Sequence, residues 1–251
     1  MIRLRPAARR ILAWSIYPIS WLLLFAAFGA GVHGLVSLQI AWAGFTAVIA
    51  ILYLALERLF PYQQRWSMTW ASFKADVKFI AVNGAFMGSV SAGLAYATIS
   101  LSHNRIGPLH GLPLWLQLVL CLLIFEALNY GLHRAMHELP GKTGRFLWLV
   151  HAAHHLPERV YLVMHAVFHP LNAFLVQTCI IVLPIWLAGY DQRVVTLFLM
   201  INGLHGLISH FNVDVRMGWA NYLFVGAELH RYHYSADVSE GKNKGGDAVG
   251  V

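Results

Sequence analysis

Long apolar runs separated by short polar segments pattern this chain, at lengths that suit a bilayer rather than a soluble core. No charged residue occurs between Arg10 and Glu57, and further charge-free runs extend from Phe79 to Asn104, Ile106 to Phe125, Val160 to Tyr190 and Val194 to Val213. A helix rises about 1.5 Å per residue and the hydrocarbon core is about 30 Å thick, so about 20 apolar residues make one crossing. The runs predict six spans, at roughly 12–31, 35–56, 79–101, 113–131, 171–189 and 194–211. The last two form a hairpin turned at Tyr190–Arg193, as full crossings or as a re-entrant element. Between the second and third spans, the segment from Glu57 to Lys78 mixes Phe60, Tyr62, Trp66, Trp70 and Phe73 with basic residues. That composition fits an amphipathic interfacial helix or an ordinary aromatic belt.

Composition agrees with the pattern. Mean hydropathy is +0.58, and charged residues make up 12% of the chain, against about twice that share in soluble domains. The net charge of +7 would suit nucleic acid, but its placement argues against that partner. With the N-terminus cytoplasmic, alternate loops hold 16 of the 18 basic residues, and only Arg105 and Arg193 fall outside them. This is the positive-inside arrangement. The basic N-terminus followed by an apolar run predicts a signal-anchor, since further spans follow. Cys121 and Cys179 lie within apolar spans and predict small core residues rather than a disulfide.

Histidine changes the picture. Eleven of the 14 histidines lie between His133 and His233, all in the second half of the chain. Glu126, Tyr130, His133 and His137 fall on one stripe of the fourth span's continuation, ended by Pro140 and Gly141. His151, His154 and His155 follow at i, i+3 and i+4, which predicts three imidazoles on one helical face. His230 and His233 form a third group, with His169, His205 and His210 between as possible additions. His165 reads equally as a core histidine or a ligand. His33, His103 and His110 belong to the opposite side of the membrane. Imidazole near lipid needs a partner, and clustered neutral nitrogen donors match the needs of a metal. More imidazoles are present than one ion takes, which favours two ions; nitrogen donors suit iron, zinc, copper or nickel. Glu126, Glu138, Glu158, Asp214 and Glu228 are candidate acceptors for imidazole N–H groups, Glu126 and Glu228 foremost. The expected architecture is therefore all-α: a polytopic membrane helix bundle of about four to six spans, with a cytoplasmic histidine-rich helical cap.

HxxxH at 133–137, HxxHH at 151–155, "HP" at His169–Pro170, "HFN" at 210–212 and "ELHRYH" from Glu228 together resemble the fatty acid hydroxylase/sterol desaturase superfamily over about residues 120–240. The resemblance implies an integral membrane enzyme in which two iron ions use O₂ to hydroxylate or desaturate a fatty acyl chain, sterol or related lipid. In the purified protein, zinc is the expected alternative occupant. It further implies His133, His137, His151, His154, His155, His210, His230 and His233 as ligands, and His169 as a weaker candidate. No nicotinamide, flavin or haem motif is present in the sequence, so electrons are expected from a separate carrier docking on the basic cytoplasmic surface. Two departures stand out: Tyr234 replaces the last histidine of the third group, and "NKGG" leads to a short end.

These readings divide the chain into an N-terminal transmembrane region at 1–112, a hydroxylase-like region with the histidine groups at 113–240, and a disordered, possibly truncated tail at 241–251. The bacterial inner membrane and the endoplasmic reticulum both fit. Two rivals remain: a degenerate, non-catalytic family member, and a zinc-binding membrane transporter or sensor. Phe125, Phe168, Phe174, Trp115, Trp186 and Phe198 line an expected substrate tunnel or simply pack the spans.

Overall fold

The computed structural model describes the backbone of residues 5–101, 107–155 and 159–233, and the side chains of 5–89, 107–155 and 159–231. Every regular element among them is helical. The order is α1 (Pro6–Val32), α2 (Leu38–Leu59), α3 (Trp70–Leu101), α4 (Leu114–Glu138), α5 (Gly141–His155), α6 (Pro170–Phe174), α7 (Leu183–Ala188), α8 (Gln192–Ser209) and α9 (Ala227–His233). A π-helical stretch, Leu175–Val182, joins α6 to α7 without a break, so Pro170–Ala188 runs as one helix. Among the described residues, four helices are long and apolar enough to cross a membrane: Pro6–Val32, Leu38–Leu59, Leu114–Glu138 and Pro170–Ala188.

The capping chemistry is local. Ser37 opens α2 by accepting from the Ile40 N–H at 3.2 Å, and Asp191 opens α8 by accepting from the Arg193 N–H at 2.8 Å. The segment expected as an interfacial helix divides instead. α2 ends at Leu59, a short 3₁₀ turn covers Gln64–Trp66, and α3 begins at Trp70, nine residues before the predicted span.

α8 is the axis of the bundle. α1, α2 and α4 all pack on it, burying Val194, Phe198, Met200, Ile201, Leu204 and Ile208 around its circumference. One core joins Phe45, Ile49 and Tyr53 of α2 to Met200, Leu204 and Phe211, with the Tyr53 and Phe211 rings stacked at 4.4 Å. A second joins Cys121 and Phe125 of α4 to Ile180, Ile181 and Phe198. The outward faces of α1, α2 and α4 instead expose Ile11, Leu22, Ile51, Trp115 and Leu123, a surface that apolar lipid tails would cover. The sequence-predicted tunnel residues do not share one lining: Trp115 faces outward, Phe125 packs on Phe198, and Phe168 stacks on His154. Cys121 and Cys179 are both free thiols; Cys121 is the expected core residue, whereas Cys179 is exposed.

Candidate metal centre

The first histidine pair ends α4, one helical turn apart, with rings stacked at 4.8 Å. The chain then reverses at Leu139–Gly141 and α5 folds back along α4. That reversal depends on Gly144, where any side chain would run into the Leu139 carbonyl. As a result His151 and His155, also one turn apart, face His133 and His137: the His133–His151 rings lie 4.7 Å apart and the His137–His155 rings 5.0 Å.

His154 behaves differently from its neighbours. One position round the helix is about 100°, so it turns away from α4 and toward the end of α8. There it meets His210, which follows the last residue of α8, at a ring separation of 5.0 Å. His230, carried by α9, closes on His210 at 4.5 Å. The HxxHH segment thus divides its imidazoles between two groups rather than presenting one face. His133, His137, His151 and His155 offer nitrogens all within 4.8 Å of one another, and so do His154, His210 and His230.

Each expected ligand can now be placed. Seven of the eight fall in these two groups; the side chain of His233 lies outside the described residues, as do Tyr234, Glu158, His103, and the tail at 241–251. His169 joins neither group. Its Nδ1 accepts from the Leu171 N–H at 3.2 Å and caps α6. His205 lies apart as well, bonded to the Ile201 carbonyl and the Tyr17 hydroxyl and stacked on Phe224. The His165 ring lies 5.0 Å from that of His210.

The carboxylates take other work. Glu228 accepts from Arg216, the Met217 N–H and Asn221. Glu138 pairs with Arg134, and Asp214 with Arg9 and Arg216. Glu126 is on the exposed side of α4, and among the described residues no hydrogen bond joins it to an imidazole. Neutral groups orient the rings instead. His154 Nδ1–H donates to the Val167 carbonyl at 3.0 Å. The Ser209 hydroxyl donates to the Gly206 carbonyl, leaving its oxygen to accept from His210 Nδ1–H at 2.9 Å. Buried Asn172 brings its Oδ1 to 3.4 Å from His151 Nδ1. Sequence reasoning missed Asn172 and Ser209, yet a lone amide in an apolar run was a usable signal, because a buried amide must find a partner.

These bonds determine the tautomers. A neutral imidazole that donates through Nδ1 has a bare lone pair on Nε2. His154 and His210 therefore point lone pairs at each other, with Nε2 atoms 3.2 Å apart, and His230 Nε2 stands 3.2 Å from the same atom of His210. In the first group the Nε2 atoms of His151 and His155 are 3.0 Å apart. The facing lone pairs of His154 and His210 repel unless a cation lies between them, and rings held from behind by acceptors are the usual support of metal-ligating histidine. Burial and then the nearby His137 hold His151 down at about 4, and burial and then His210 hold His154 well below its ordinary value. Both stay neutral and able to ligate at neutral pH. The residues present fit two nitrogen-coordinated ions.

A helical bundle with membrane-length helices, whose helix ends and intervening loop gather two adjacent polyhistidine groups, carries the donor set of a metal-binding membrane protein. Residues 118–247 match the fatty acid hydroxylase family, and the chain belongs to it. A similar protein is the ornithine lipid hydroxylase OlsE of Rhizobium tropici, 28% identical over 233 residues, which cover 89% of this chain and 66% of the relative. The chain thus spans just under two thirds of that relative's length. No solved structure matches it.

Proposed function

We propose that the protein is an integral membrane oxidoreductase that hydroxylates a lipid. Two iron ions held by the paired histidine groups would be its cofactor and O₂ its co-substrate. The observation that carries this reading is the pair of adjacent imidazole groups, each with its ligand nitrogens within 4.8 Å of one another, and the Nε2 lone pairs of His154 and His210 facing each other at 3.2 Å. Family membership supports hydroxylation over passive metal binding, and ornithine lipid, the substrate in the relative's name, is the first to try. Desaturation of the same chain is the close chemical alternative.

His133, His137, His151 and His155 would hold one ion, and His154, His210 and His230 the other, with His233 an additional candidate. Bound iron supplies the reduction of O₂ and the oxidation of an unactivated C–H bond. The protein's own contribution is positional. The Val167 and Gly206 carbonyls, Ser209 and Asn172 keep the rings of His154, His210 and His151 turned so that Nε2 faces inward. Phe168, stacked on His154 at 4.2 Å, and Trp148, 5.3 Å from His137, cover the groups with apolar surface and restrict water. Electrons would come from a separate protein, and the basic loops offer it a docking face on the cytoplasmic side.

The reading is tested on protein purified anaerobically in detergent, with metal counted per chain, then incubated aerobically with reductant and ornithine lipid or total membrane lipid. The expected result is two ions per chain and a lipid product about 16 mass units heavier, lost in His154→Ala and His133→Ala. A wild-type protein with both ions and no oxidised lipid would favour the non-catalytic alternative.

A further inference from the structure

We propose that His165 supplies a fourth nitrogen to the second imidazole group, beside His154, His210 and His230. The assignment rests on the reading of both groups as metal sites. Among the described residues, His154, His210 and His230 bring ligand nitrogens within 4.8 Å of one another, and His165 stands beside that trio rather than within it.

The His165 ring stands as close to His210 as the His154 ring does, at 5.0 Å in both cases. Its Nδ1 is buried with no hydrogen-bond partner. A histidine that merely fills a core donates its ring N–H to a carbonyl, as His205 does to Ile201 at 2.8 Å. His165 has no such bond, and a buried ring nitrogen left without one is costly unless an ion takes its lone pair.

The backbone around it is also built for position. His165 lies on a 3₁₀ turn, Leu162–Ala166, in a largely buried loop between α5 and α6, though connecting segments usually run over the surface. Four bonds tie this loop down. Glu57 accepts from the Leu162 N–H at 2.9 Å, Tyr161 donates to Asp76 at 2.6 Å, Asn83 donates to the Phe168 carbonyl at 2.7 Å, and His154 donates to the Val167 carbonyl. From the other side, Gly206 makes room. A Cβ there would lie 2.7 Å from His165 Cε1 and 2.8 Å from its Nε2, so a side chain at 206 would push the ring off α8 one turn before His210.

The test uses detergent-purified wild-type protein and the variants His165→Ala and Gly206→Ala, each loaded anaerobically with Fe²⁺ and, in parallel, Co²⁺. Ions retained per chain are counted against increasing chelator. Both variants should keep one ion as firmly as wild type and release the second at a chelator concentration at least tenfold lower. The Co²⁺ absorption of one site alone should change, and His33→Ala, on the exposed turn after α1, should match wild type. Retention of the first ion as in wild type guards against a simple folding defect, because a misfolded chain would lose both ions together. Two ions released as in wild type from both variants would overturn the assignment alone. A wild-type chain holding fewer than two ions would overturn the metal reading and this assignment with it.

Discussion

Asn172, Ser209 and Glu57 show how much of the site rests on side chains that no histidine pattern announces. Asn172 and Ser209 orient the His151 and His210 rings from behind, while Glu57, 6% exposed at the end of α2, accepts from the backbone N–H groups of Leu162 and Asn212. Those bonds join the loop carrying His165 to the loop following His210. Asn212 adds a second tie, exchanging bonds with Gln63 at 3.0 Å in each direction, which explains the asparagine of "HFN" as a clasp rather than a ligand. Replacing Glu57 with leucine orphans two buried N–H groups, at about 1–3 kcal/mol each. We expect a clear fall in the thermal midpoint of detergent-purified Glu57→Leu, with Glu57→Gln retaining most of it through its remaining acceptor oxygen. Equal midpoints for wild type and Glu57→Leu would refute the clasp. The histidine spacings were legible along the chain, but these acceptors were not, because a carbonyl or a serine becomes a partner only when another element arrives beside it.

Among the elements, the short helix α9 is the one least able to hold itself in place, and it carries His230. Seven residues make under two turns, too few for an isolated helix to persist. Two anchors replace intrinsic stability. Glu228 grips Arg216, Met217 and Asn221 on one side. On the other, Arg231 donates to the Phe211 and Val213 carbonyls at 3.0 and 2.6 Å and lies 4.0 Å over the Tyr62 ring. Arg231→Met should cost on the order of 3 kcal/mol, raise amide exchange across 227–233 and weaken retention of the second ion. Arg231→Lys should rescue it only in part: one guanidinium nitrogen makes both carbonyl bonds, which an ammonium can replace, but lysine has no planar group to lie over the Tyr62 ring. Unchanged exchange in Arg231→Met would show that α9 is held by other means. The sequence spacing of α5 predicted three imidazoles on one face, and here the tertiary arrangement corrected it: positions 154 and 155 differ by about 100°, and with α4 on one side and α8 on the other each found a different group.

For the whole molecule, the apolar runs anticipated the helices well. Predicted spans at 12–31, 35–56, 113–131 and 171–189 lie within or across the helices Pro6–Val32, Leu38–Leu59, Leu114–Glu138 and Pro170–Ala188. The run at 194–211 became the buried axis α8, which hydropathy cannot tell from a lipid-facing span because both are apolar. With the histidine groups cytoplasmic, single cysteines at Arg65 and Lys142, in a background lacking Cys121 and Cys179, should react with impermeant reagent from the cytoplasmic side, and one at His110 from the other. Labelling of Lys142→Cys and His110→Cys from the same side would refute this topology. Periodicity and the cost of charge in lipid are properties of a segment alone, so the sequence by itself determined the helices and which histidines had to be compensated. Which imidazole met which, and the acceptors behind them, was decided only by packing around α8, because a lone pair is aimed by contacts that no single segment contains.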